Sequence, residues 1–365
     1  MAILIWIVLI LSVCAVIQRR VYHYFGLKSL TYSRQLSTAQ AFVGQKILLT
    51  ETISNSKRLP MSWLRVESQL PAQLVFKHQE RDTTINSGNQ LQNHASLFTI
   101  PAYTEIVRKH EVVCIHRGCY RISSFTLSYG DILGIKSKTV AQDVIQEIVV
   151  FPKIIELRDF PLSVRQFMQS IHSMNSPLRE NHYNVSGVRP YQGGDSMRMI
   201  NWSATAKTGE LLVHKRESMC NNDLILLINS ELLDQAHNRR LMPEQFEQVL
   251  SYAASASQYM ISNGGKIGLV FNGQVAGRTE SLFRLPIKGG TSHLQAIWQA
   301  MARFEPVTRL GLTYVLEQFI AEQARSNNYL LLTGFIDPQQ EALIGQLRRM
   351  GNTVETMLLY KEVAS

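Results

Sequence analysis

Cysteine is scarce in this chain: there are four, at positions 14, 114, 119 and 220. Cys14 lies inside an apolar amino terminus, and the other three cannot all pair with one another. This fits a reducing compartment better than an oxidising one. Zinc ligation is disfavoured as well. Cys114 and Cys119, with His110 nearby, lack the short spacing and the second ligand pair that structural zinc takes. Charge is also low, at 18% of residues against about 25% in ordinary soluble domains. The net charge is +9, yet no run of five or six Lys/Arg occurs. Scattered positive charge of this kind points to solubility or an anionic membrane surface and, with no zinc-finger or RNA-recognition motif, not to nucleic acid. Gly193-Gly194-Asp195 lacks the Gly-Lys-Ser/Thr ending of a phosphate loop. No Ser/His/Asp or Cys/His set is assembled by a local motif, so the expectation is a non-enzymatic protein without a cofactor.

What is present begins at the amino terminus. Residues 1–17 read MAILIWIVLILSVCAVI, with no charge. The run is followed by Arg19, Arg20, Lys28 and Arg34, and by the interfacial aromatics Tyr22, Tyr24 and Phe25. A cleaved signal would carry its positive charge before the apolar stretch and a small-x-small site after it. The expectation is a transmembrane anchor over residues 1–25, with the amino terminus outside and the body cytoplasmic by the positive-inside rule.

Beyond the anchor, apolar residues recur with period two. Residues 46–53, 63–67, 97–100, 106–107, 111–115, 120–122, 125–127 and 148–151 predict short strands separated by Gly, Pro, Asn and Ser turns, hence an antiparallel β-sandwich over 36–155. The polar stretch 81–93 predicts a loop, and His116-Arg117-Gly118 a hairpin turn whose glycine supplies positive φ. Residues 156–221 read as a linker with a dense central block. Val164, Phe167, Met168 and Ile171 have helical spacing, and 178–188 read as a loop. Asp195 or Ser196 would cap a helix over 197–207, closed by Thr208-Gly209 and followed by a strand over 210–215. Asp195 and Arg198, three apart, would pair. Arg189, Tyr191, Asp195, Arg198, Lys207 and Glu217 form either a charged recognition surface or a buried polar network.

The run GVRPYQGGDSMRMINWSA, residues 187–204, resembles the signature of the bacterial "domain of unknown function 58" family. Arg189, Tyr191, Gly194, Asp195, Arg198, Ile200 and Trp202 match its pattern. Asn201 stands where an Asp is common and Lys207 where an Arg is common. The anchor, the sandwich, residues 116–120 and 130–134 also resemble the family's layout. The resemblance implies a membrane-associated, non-enzymatic adaptor or scaffold, partnered by a MoxR-type AAA+ ATPase in protein-complex maturation or envelope processes.

From 222 to 365 strands and helices alternate. Strands are predicted at 224–228, 266–271, 329–333 and 354–359, and helices at 243–262, 291–304, 312–325 and 338–350. This is a doubly wound α/β pattern whose ligand edge lies at the strand carboxyl ends. It resembles a von Willebrand factor A domain, whose metal loop would imply Mg²⁺ on Asn229, Glu231 and Thr291. Asn229 replaces an Asp, Leu233 offers no oxygen, and no Asp follows Thr333 until Asp337. A scaffold without the ion is the expectation, with metal-dependent ligand binding as the alternative.

Overall fold

The computed structural model describes residues 2–26, 29–76, 83–87, 91–130, 137–174, 185–192, 197, 200–216, 223–231, 233–234, 239–240, 243–323 and 325–359. The chain divides into two compact units, one of Met1–Lys153 with Trp298–Arg303, the other of Ile154–Ile297 with Phe304–Ser365. The stretch expected to be a linker thus falls within the second unit.

The first unit opens with a single helix, α1 (Ala2–Phe25). Its segment Ile3–Tyr22 has a mean hydropathy of 2.0, long and apolar enough to cross a membrane. A helix of this length extends about 36 Å, against a hydrocarbon core of about 30 Å. Among the described residues ten strands follow: β1 (Leu30–Leu36), β2 (Gln40–Phe42), β3 (Lys46–Asn55), β4 (Met61–Pro71), β5 (Leu74–Phe76), β6 (Thr83–Ser87), β7 (Leu91–Ile100), β8 (Thr104–Cys114), β9 (Gly118–Gly130) and β10 (Ser137–Phe151). They form a four-stranded sheet, β1-β3-β8-β5, and a six-stranded sheet, β2-β10-β9-β4-β7-β6. Alternation decides what is inside: Ile47, Leu49, Glu51 and Ile53 of β3 are all buried, as are Leu64, Val66, Ser68 and Leu70 of β4.

Three expectations are corrected here. Residues 83–87 and 91–93 are strand, although their composition is polar, because β6 and β7 pair with each other and β7 buries alternate residues. Gly118 does have positive φ, at 154, but His116-Arg117-Gly118 is not a hairpin turn, since β8 belongs to one sheet and β9 to the other. The corner is held by the Tyr120 hydroxyl, which donates toward the carbonyls of His116 and Arg117, both at 3.0 Å. Residues 185–188, the end of the stretch expected to be loop, are strand, in an element that runs Val185–Pro190.

The second unit contains α2 (Leu162–Met174), β11 (Val185–Pro190), α3 (Trp202–Thr208), β12 (Leu212–Arg216), β13 (Asp223–Ile228), β14 (Leu233–Asp234), β15 (Arg239–Arg240), α4 (Pro243–Ser262), β16 (Lys266–Phe271), β17 (Gly273–Val275), β18 (Phe283–Lys288), α5 (Thr291–Ala302), β19 (Phe304–Thr308), α6 (Leu312–Ala321), β20 (Asn328–Thr333), α7 (Pro338–Arg349) and β21 (Thr353–Leu358). The last turn of α5 groups with the first unit. The main sheet has the order β18-β16-β13-β20-β21. The central pairs are parallel, and β18 is an antiparallel edge. Continuous apolar runs in β13, β16 and β20 suit strands covered on both faces. Helices α6 and α7 cover one face through Leu312, Val315, Leu316, Phe319, Ile344 and Leu347, packed with Leu227, Tyr329 and Leu331. Helix α4 packs on β13, β16 and β20. Strand β18 escaped the sequence reading because its sequence, FRLPIK, carries a proline, which is tolerated at an edge.

Candidate functional site

Three polar constellations stand out. The first is the block around β11 and β12, which pair antiparallel. Arg189 is half-buried on β11, and its Nη1 donates to the Pro190 carbonyl at 3.1 Å. Tyr191 is half-buried next to it, with its amide on the Leu211 carbonyl at 2.9 Å. The helix expected over 197–207 starts later, at Trp202. Its cap is Asn201, whose Oδ1 accepts from the Ala204 amide at 3.0 Å, and it ends at Gly209 with φ 77. An Asn before Trp-Ser-Ala is an ordinary capping signal that the Asp195-centred reading passed over. Lys207 is exposed in the last turn, where its charge complements the helix dipole. Gly194, Asp195, Arg198 and Glu217 lie outside the described residues, and so does the expected Asp195–Arg198 pair. The block also displays apolar surface: Met197 is 68% exposed, Trp202 64%, Leu211 47% and Val188 42%.

The second constellation sits at the carboxyl ends of β13, β16 and β20. The apolar runs of β13 and β16 each end in an asparagine, Asn229 and Asn272, and both are fully buried. Asn272 Nδ2 donates to Asn229 Oδ1 at 2.7 Å and to the Leu310 carbonyl at 3.0 Å. Asn272 Oδ1 accepts from the Ser230 amide at 2.7 Å and the Ser230 hydroxyl at 3.0 Å. Asn229 Nδ2 donates to Thr333 Oγ1 at 2.9 Å and to Glu231 Oε2 at 3.3 Å. Glu231 then reaches outward. Its Oε1 accepts from the Leu312 amide, the first of α6, at 2.9 Å, and its Oε2 accepts from Gln340 Nε2 of α7 at 3.2 Å. Helix α6 has Gly311 as its cap and no local side-chain partner, so Glu231 supplies that acceptor from a distance. Gly273 is required beside the cluster, because a Cβ there would stand 2.7 Å from Ser230 Oγ.

Asn229 and Glu231 therefore come together, but Thr291 does not join them. Strand β18 runs antiparallel to β16 and pairs Lys288 with Ile267. Thr291, three residues further on, accordingly starts α5 near the amino end of β16. Besides Thr333, the threonine that reaches the cluster is Thr308, whose Oγ1 donates to the Ser230 carbonyl at 2.9 Å. Asp337 caps α7 through a capping box with Gln340. Among the described residues no group of three or more His, Cys, Asp or Glu side chains is placed to hold a metal ion.

The third constellation lies inside the sandwich and has no counterpart in the sequence reading. Glu51 is fully buried. Its Oε1 accepts from Arg34 Nη2 at 2.9 Å and from the Tyr32 hydroxyl at 2.7 Å. Its Oε2 lies 3.2 Å from His110 Nε2 and 3.4 Å from Ser96 Oγ. Arg34 also donates to Ser68 Oγ at 2.9 Å. His94 is fully buried beside this group, its ring stacked on Phe76 at 4.7 Å, and neither ring nitrogen has a hydrogen-bond partner among the described residues. Burial alone would raise the Glu51 carboxyl, but the His110 hydrogen bond and the Arg34 charge overcome it and hold the group well below the usual range. Burial pushes His94 down to about 4, against the opposing pull of Glu51. The Tyr32 hydroxyl is raised, chiefly by burial.

Comparison with known proteins adds the following. Residues 187–360 match the family model described as "Protein of unknown function DUF58". The chain is 24% identical over 345 residues to the "Uncharacterized protein YeaD" of Bacillus subtilis, covering 93% of this chain and 77% of that one. Among solved structures, a cohesin module from a Clostridium perfringens family 33 glycoside hydrolase aligns with 33% of this chain and 96% of its own, at 8% identity and a TM-score of 0.24. A non-cellulosomal cohesin from Archaeoglobus fulgidus aligns with 33% and 91%, at 16% identity and a TM-score of 0.23. Scores this low assign neither fold nor function.

Proposed function

We propose that the chain is a membrane-anchored, non-enzymatic adaptor or scaffold with a cytoplasmic body, and that a MoxR-type AAA+ ATPase is its protein partner. The observation that carries the reading is the apolar surface in the signature block: Trp202, Met197, Leu211 and Val188 are all more than 40% exposed. Solvent-facing tryptophan and methionine beside Arg189 and Lys207 have the composition of a protein-binding hot spot. Helix α1 supports the anchor, with the positive charge that follows it favouring a cytoplasmic body.

The strand order and the antiparallel edge support treating the second unit as a degenerate von Willebrand factor A-like domain. Its strand-end cluster argues against the metal-dependent alternative. Asn229 and Asn272 offer neutral carboxamides where a hard cation takes carboxylates, and Glu231 is committed to α6 and α7.

The test is binding of the full-length chain, in nanodiscs, to a purified MoxR-type ATPase. Trp202→Ala with Leu211→Ser is expected to weaken binding by about tenfold or more while circular dichroism stays unchanged. Undiminished binding by this variant, or no binding by the parent chain, refutes the reading.

A further inference from the structure

Helix α1 does not run into a free linker. Tyr22 is 4% exposed, and its hydroxyl donates to the Pro60 carbonyl at 2.9 Å. Gly26 is packed on the Tyr129 ring so closely that a Cβ would collide with it. Lys57 Nζ donates to the Phe25 carbonyl at 2.9 Å and to the Gly26 carbonyl. Terminal carbonyls of a helix have no partner within it, and a lysine there satisfies both their hydrogen bonding and the dipole. The helix base is therefore fixed to one end of the sandwich.

The loops at that end are joined around the base. Ser56 N donates to the Ser29 carbonyl at 3.0 Å and Tyr103 N to the Lys57 carbonyl at 3.2 Å. Asn55 Nδ2 bridges the carbonyls of Leu59 and Pro101 at 3.0 and 2.8 Å. The end carries aromatic and basic side chains turned to solvent. Tyr103 is 70% exposed, Tyr24 74% and Phe25 43%, and Arg20 and Arg58 are exposed beside them. Tyr103 also has φ 51, a left-handed conformation uncommon for an aromatic residue and found where the surroundings hold a residue in place.

We propose that this end of the sandwich is a membrane-contact surface, with Tyr24, Phe25 and Tyr103 at headgroup level and Arg20 and Arg58 on anionic phospholipid headgroups. Amphipathic rings settle at the interface, and guanidinium groups are drawn to an anionic leaflet. Lys57 takes no part in lipid binding, because its ammonium is used on α1. The proposal rests on the anchor reading. It adds that the sandwich is held against the bilayer in one orientation instead of swinging on a tether.

The test uses the full chain in vesicles of phosphatidylcholine and phosphatidylglycerol, with Cys119 and Cys220 replaced by serine. A polarity-sensitive fluorophore is placed at Tyr103→Cys or at Ile115→Cys. The two sites flank the 11 residues of β8, about 36 Å of strand. A lipid carrying a shallow nitroxide is expected to quench the probe at 103 at least about twofold and to leave 115 unaffected. Removing phosphatidylglycerol is expected to reduce the quenching at 103. Cys14 reports the anchor separately, through its protection from a membrane-impermeant maleimide. Protected Cys14 with equal signals at 103 and 115 overturns the contact surface and leaves the anchor standing. Quenching at 103 that does not depend on phosphatidylglycerol overturns the anionic-headgroup assignment. Free alkylation of Cys14 overturns the anchor, and the contact surface with it.

Discussion

The two units bury polar groups in opposite ways. Inside the sandwich, Glu51 and Arg34 form a salt bridge at 2.9 Å with almost no exposure, and His110 and His94 crowd the same space. At the strand ends of the α/β unit the fully buried groups are Asn229, Ser230, Asn272 and Thr333, all neutral, and the one carboxylate, Glu231, is only partly buried. A carboxamide donates and accepts at once, so two asparagines and two hydroxyls can satisfy one another without desolvating a charge. A buried ion must instead be repaid by good geometry and further hydrogen bonds, and losing one partner strands the other. The sandwich core is thus brittle to single changes and to pH, whereas the strand-end network is brittle mainly to loss of shape.

Truncation of the buried ion pair should have the largest effect. Glu51→Leu leaves Arg34 buried without its counter-ion and is expected to cost the sandwich about 3–5 kcal/mol. Arg34→Met, Glu51→Leu and His110→Leu together remove the ion pair and the histidine bonded to it, and should recover most of that loss. Urea denaturation of the single and triple variants checks it. A triple variant no better than the single one would mean that packing, not stranded charge, sets the cost.

Acid is the next lever, and its sign follows from the two shifts. His94 titrates at about 4 in the folded protein and near 6.5 when unfolded. Between those values the unfolded chain binds the extra proton, so stability falls as pH drops through that window, by up to roughly 3 kcal/mol. Glu51 is held below its ordinary 4.5, so below that pH the unfolded chain again binds more protons and stability falls further. Both groups act in the same direction. Amide exchange in β3 and β8, corrected for intrinsic rates, should lose protection from pH 6.5 downward before β13 and β20 do. His94→Phe should flatten the first part of the curve.

The neutral network is probed by Asn272→Ala. It removes the acceptor of the Ser230 amide and hydroxyl and the donor to Asn229 Oδ1. About 2 kcal/mol of destabilisation is expected, with little dependence on pH between 4 and 7. A strong pH dependence would show that Glu231 carries more of this cluster than the asparagines do.

Why these centres were unequally legible follows from the same physics. Long apolar runs and helical spacing marked β13, β16, α4 and α7 almost to the residue, because parallel strands and amphipathic helices write their burial into local sequence. Glu51 was available to the same logic. It shares the inward register of Ile47, Leu49 and Ile53 in β3, and a carboxylate at such a position demands a partner. What sequence cannot supply is which partner, since Arg34, His94 and His110 arrive from three other strands. Thr291 shows the converse error. The resemblance implies it as a ligand beside Asn229 and Glu231, but the antiparallel run of β18 delivers it to the other end of the sheet, and Thr308 takes the place beside Ser230.

The smallest effect expected is at Asn201, and it bears directly on the signature block. The side chain caps α3 through the Ala204 amide, while its own amide holds the Leu212 carbonyl at 2.8 Å. Asn201→Ala keeps the backbone bond and loses the cap, at a cost of about 1 kcal/mol. Asn201→Asp should cost nothing measurable, because a carboxylate caps equally well and favours the helix dipole. Helix α3 is short, so a loss of this size is enough to fray its first turn, and Trp202 is the first residue of that turn. Amide exchange at Ala204 and Thr205 reads the fraying. If the exposed indole is what a partner recognises, Asn201→Ala should weaken capture as well, and Asn201→Asp should not. Equal binding by both variants would move the recognition surface away from α3 and onto the β11–β12 ribbon.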